Sequence, residues 1–98
     1  VAYQEAINAL QPSEAWLDMG LTLDKLGVLY LEQDRSQEAI TTWQQAISYL
    51  QRAGRCDLVR TVYGRLGAAY AELMMWDRAQ TNYAHALELA QAAHAPSQ

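Results

Sequence analysis

The passage from residue 26 to residue 50 returns, forty residues on, from residue 66 to residue 90. Leu26-Gly27-x-x-Tyr30-x-Glu32 becomes Leu66-Gly67-x-x-Tyr70-x-Glu72, and Ala39-x-x-x-Trp43-x-x-Ala46-Ile47 becomes Ala79-x-x-x-Tyr83-x-x-Ala86-Leu87. This offset constrains the fold strongly, because a unit of that size cannot bury its apolar face alone and copies must stack. A partial third copy stands at the start, where Ala2-Tyr3-Gln4-Glu5-Ala6-Ile7 matches Thr42-Trp43-Gln44-Gln45-Ala46-Ile47.

Within each copy the apolar residues fall at helical spacing. Tyr3, Ala6, Ile7 and Leu10 predict a first helix that stops before Pro12. Ser13 is the expected N-cap of a second helix running to about Gln33, with Trp16, Leu23, Leu26 and Tyr30 on one stripe. Gly20 and Gly27 share that stripe, where a missing side chain admits a neighbouring helix. Asp34-Arg35-Ser36 makes a turn, and a third helix from about Gln37 to Arg52 presents Ala39, Ile40, Trp43, Ala46, Ile47 and Leu50. Gly54 closes it as a left-handed cap. Asp57 is expected to cap a fourth helix through Tyr63, Leu66, Gly67 and Tyr70 to about Met74. Met75-Trp76 forms the next turn, and Asp77 is expected to cap a fifth helix through Ala79, Tyr83, Ala86, Leu87 and Ala90, fraying before Pro96. The expectation is an all-α single domain over 1–98. In it 1–11 is the second helix of a truncated repeat, and 13–53 and 55–95 are two full ones.

Composition narrows the function. Hydrophobic residues make up 51% and charged residues 18%, values of a folded soluble chain rather than a disordered or fibrous one. A net charge of −4 gives no attraction for a phosphate backbone or an anionic membrane surface, so neither nucleic acid nor membrane is expected as a partner. Acids dominate the first half, while Arg52, Arg55, Arg60 and Arg65 turn the second slightly basic; scattered over a loop and a helix, they read mainly as solvated surface. The single Cys56 cannot form an internal disulfide, which points to a reducing compartment, here the cytoplasm. No apolar run is long enough to span a membrane. The chain begins at Val1 without a signal-like stretch and is expected to be a piece of a larger array.

Catalytic chemistry finds no foothold. His85 and His94 are too far apart to share a helical face as metal ligands. Gly64-x-x-Gly67 lies inside a periodic helix whose N–H groups are already used, so it is no phosphate loop. Cys56 stands where the preceding copy has Trp16, which argues for packing rather than for a nucleophile. Glu32 and Glu72 lack the unequal environments that an acid–base pair needs. A non-enzyme without metal or cofactor is expected.

The joint occurrence of a bulky residue (Leu23, Tyr63), Leu-Gly, Tyr, and then Ala followed by an aromatic resembles the tetratricopeptide repeat over essentially the whole chain. The period is about six residues longer than the family's usual 34. Phe is absent, and no Pro closes the first full repeat. The resemblance implies a right-handed superhelical array of antiparallel helix pairs, a TPR-like α-solenoid of five helices. It also implies a scaffold for protein–protein interaction, binding a peptide or protein segment in a concave groove. The alternative is an oligomerisation or intramolecular regulatory segment of a larger signalling protein.

Carried over by position, the groove comprises Leu21, Asp24, Lys25, Val28, Leu31 and Glu32 in one repeat, and Thr61, Gly64, Arg65, Ala68, Ala71 and Glu72 in the next. Small residues make the second wall shallow, and Val28 with Leu31 offers an apolar patch. Neither Lys25 nor Arg65 has an acid three or four residues away on its own helix. They receive a partner's carboxylates, snorkel to water or pair with an adjacent helix. The Lys and Asn clamp by which some members grip a terminal carboxylate is missing, since Asp24, Val28, Gly64 and Ala68 occupy its positions. The truncated start would expose Tyr3, Ile7 and Leu10, so self-association through repeat ends is also expected.

Overall fold

The computed structural model describes residues 12–94, and these form four α-helices and no strand. Helix α1 spans Pro12–Glu32, α2 Ser36–Arg52, α3 Cys56–Glu72 and α4 Trp76–His94. The protein is all-α. The helix expected over Ala2 to Leu10 and the approach to Pro96 lie outside the described residues.

The three connections are built alike. In each, one residue takes the left-handed conformation: Asp34 (φ 61°), Gly54 (φ 72°) and Met74 (φ 59°). The next N–H then reaches back over the helix end, from Arg35 to the Tyr30 carbonyl (2.9 Å), from Arg55 to Leu50 (3.1 Å) and from Met75 to Tyr70 (2.9 Å). These six-residue closures satisfy carbonyls that the helix leaves orphaned. Gly54 adopts this backbone without a Cβ penalty; Asp34 and Met74 do so with one, larger for Met because Asp is among the residues that visit the region.

Each new helix starts two residues after its left-handed residue, which moves the expected caps. Arg55, not Asp57, is the N-cap of α3, and it makes no side-chain capping bond; Arg35 plays the same part for α2. Asp57 and Asp77 instead lie in the first turns of α3 and α4, where a carboxylate still faces the positive helix end. Ser13 falls inside α1, after Pro12, a residue whose missing N–H is harmless in a first turn.

Each helix packs mainly on its chain neighbours, α1 on α2, α2 on α3 and α3 on α4. The core is contributed by α2 and α3, through Trp43, Ile47, Leu50, Val59, Val62, Leu66 and Ala69, with Ala79 from α4. Trp43, Leu50, Leu66 and Val62 are its largest fully buried side chains. Two glycines decide how closely the pairs approach. A Cβ at Gly27 would collide with the Trp43 indole, and one at Gly67 would lie 2.6 Å from Tyr83 Cε1. The same contact therefore joins α1 to α2 and α3 to α4, forty residues apart.

Candidate binding surface

The expected groove residues sit on α1 and α3. Lys25, Glu32, Thr61, Ala68 and Glu72 are exposed, whereas Leu21, Asp24, Val28, Leu31, Gly64, Arg65 and Ala71 are half-buried. Val28, Leu31 and Ala71 pack against the core cluster, so the apolar patch expected for a partner is partly consumed by the fold itself.

Arg65 and Asp24 are brought together across the two helices, with Nε 3.2 Å from Oδ1. Both atoms are shielded from solvent and meet as an ion pair without making a hydrogen bond. The Asp24 backbone is engaged too, its carbonyl accepting the Trp43 indole N–H at 3.1 Å. Arg65 thus finds its acid on a neighbouring helix, an interaction that spacing along its own helix could not reveal. Lys25 takes part in no ion pair among the described residues. Glu72 accepts a long hydrogen bond from Ser36 Oγ, at 3.5 Å, which ties the end of α3 to the start of α2. The Tyr70 hydroxyl accepts from Gln44 Nε2 at 3.3 Å and links α2 to α3 again.

At two of the connections, hydrogen bonding shifts side-chain titration. The Arg55 guanidinium holds the Asp57 carboxyl below the ordinary aspartate range by hydrogen bonding, and Arg55 is raised in return. Arg35 is raised by its hydrogen bond to Glu38. No group of three metal-ligating side chains occurs among the described residues, and none of the described helices is long and apolar enough to cross a membrane.

A concavity of about 420 Å³ lies elsewhere, between the first half of α3 and the second half of α4, with Gln51 at the end of α2 on its border. Cys56, Val59 and Tyr63 line one side of it, Glu88, Leu89 and Ala92 the other, and no expected groove residue takes part. Cys56 is exposed, contrary to the packing role expected from its position opposite Trp16 in the repeat. Sequence reasoning passed over this place, although the signal was present in the forty-residue offset: Trp16, Tyr49 and Arg52 give way to Cys56, Leu89 and Ala92.

These features define an all-α protein whose two helix pairs share one packing contact. No family model, curated protein or solved structure matches the chain.

Proposed function

We propose that this chain is a tetratricopeptide-like segment of a superhelical repeat array, acting without catalysis or cofactor as a cytoplasmic scaffold for a peptide or protein partner. The observation that carries the reading is the recurrence of the glycine–aromatic contact, Gly27 with Trp43 and Gly67 with Tyr83, together with identical left-handed turns at Asp34 and Met74. A repeated unit of this kind presents the same helix face at each step, and the faces form an extended surface. The partner lies over Lys25, Thr61 and Ala68, which are exposed and free of core duty. The Asp24–Arg65 pair helps to fix the spacing of the two walls.

The protein carrying Lys25→Glu and Ala68→Glu tests the assignment in a pull-down. Loss of partner capture with an unchanged melting temperature is expected, and full capture by the folded variant discards the groove. An oligomerisation or regulatory role is the second reading, supported by the exposure of Trp76, Tyr83 and Leu87 on α4. It predicts that Leu87→Glu, and not the groove variant, abolishes association.

A further inference from the structure

The second helix pair contains a vacancy that the first pair fills. In the first, the Trp16 and Tyr49 rings stack at 5.7 Å with an interplanar angle of 27°, and the Arg52 guanidinium lies 5.1 Å from the centre of the Trp16 ring. Forty residues on, the corresponding residues are Cys56, Leu89 and Ala92, and the cavity of about 420 Å³ lies among them. The surrounding framework is the same, since the glycine–aromatic contact and the turn recur. The missing volume therefore corresponds to an aromatic ring and a cation above it. Its size falls within the range of ligand pockets, and its walls combine apolar surface with a few polar groups, as such pockets do.

We propose that this cavity is a docking site for a tryptophan side chain of a partner peptide, carried next to a basic residue. Three features select that occupant. The equivalent space already holds an indole in the first pair. Tyr63 and His85, whose rings lie 5.0 Å apart at 34°, offer aromatic surface in place of Leu23 and Gln45. Glu88, where the first pair has Ser48, is the cavity's carboxylate, while the cation supplied by Arg52 is missing at Ala92. The partner must bring that cation, and Glu88 attracts it. Tryptophan is also among the residues that most often anchor an interface. The site shares no residue with the proposed groove, so either assignment can fail without the other.

Cys56, the chain's single cysteine, lines the cavity and reports its occupancy. The experiment measures alkylation of Cys56 by iodoacetamide in the 98-residue chain, alone and with the end-blocked peptide Gly-Trp-Lys-Gly. Concentration-dependent protection is expected. Replacing the peptide's tryptophan by alanine should weaken it about tenfold or more, and replacing its lysine by glutamine, or Glu88→Gln in the protein, should weaken it less. Cys56→Trp should raise the melting temperature and abolish peptide binding by calorimetry. Absence of protection by the tryptophan peptide overturns the proposal. So does equal protection by the alanine peptide, undiminished binding to the filled and folded variant, or free indole protecting as well as the peptide.

Discussion

The pairs α1–α2 and α3–α4 repeat one another in local geometry and differ in what surrounds them. Trp43 is 1% exposed, but Tyr83, at the same place in the second pair, is 46% exposed; for Ile47 and Leu87 the values are 7% and 58%. The contrast reverses in the other layer, where Leu66 is 2% exposed and Leu26, an identical residue, is 37%. Both α2 and α3 are packed on two sides, whereas α1 and α4, among the described residues, have one packed neighbour each. A repeated residue thus sets the contact inside its own pair, and the neighbouring pair decides whether it becomes core.

The largest test of that contrast truncates the two aromatics. Trp43→Ala should cost about 3–5 kcal/mol, the range for emptying a buried aromatic site, and it also leaves the Asp24 carbonyl without its indole donor. Tyr83→Ala, at a half-exposed place, should cost only about 1–2 kcal/mol for the apolar area it loses. Urea unfolding monitored by circular dichroism measures both, and equal losses would break the distinction between the pairs.

The opposing glycines sharpen the comparison. Gly27→Ala drives a methyl group into an indole that has nowhere to go, and about 1–3 kcal/mol of destabilisation is expected from the overpacking. Gly67→Ala meets the Tyr83 ring, which can swing outward, so the loss should be well below that of Gly27→Ala. Crystal structures of the two variants should show a displaced helix in the first and a displaced ring in the second.

Much of this was legible in the sequence, because helix pairs and turns are local. The periodicity placed the four described helices to within a few residues, and the left-handed role of Gly54 followed from residue type. Asp57 as a cap did not follow, since the turn at Gly54 starts the helix at Cys56 whatever cap chemistry lies beyond. Nor could the exposure of Leu26 be read, because the motif around it is the same as that around Leu66 and only tertiary neighbours separate them. The pairing of Arg65 with Asp24 spans two helices, and the cavity beside Cys56 shows only when the copies are compared by what they lack.

The connections offer a smaller test. Met74 takes a left-handed conformation with a side chain 75% exposed, so it loses backbone freedom without gaining burial. Met74→Gly should stabilise the protein by about 0.5–1 kcal/mol, relief of the left-handed strain being offset in part by glycine's larger unfolded-state entropy. Asp34→Gly should gain less, as aspartate tolerates this region better. A thermal melt in which Asp34→Gly outperforms Met74→Gly would contradict the assignment of strain.

The smallest effect separates the pairs by pH. Arg55 and Asp57, paired at 3.1 Å, flank the start of α3, whereas the corresponding positions at α1 carry Ala15 and Leu17. The hydrogen bond from Arg55 holds the Asp57 carboxyl below its ordinary range. Its folded-state pKa is therefore below its unfolded value, and the unfolded chain binds the proton more readily. The resulting stability is fully present above the unfolded pKa and disappears as pH falls through the depressed folded value. Both side chains are about half exposed, so the contribution is small and screened by salt. Acid should loosen the first turn of α3 through this pair while having no corresponding group to protonate at Ala15 and Leu17. Protection of the Leu58 and Val59 amides against exchange, taken relative to the intrinsic exchange rate at each pH and followed downward through the aspartate range at low salt, should fall in the wild-type protein and stay flat in Asp57→Asn; parallel curves would remove the pair from the start of the helix.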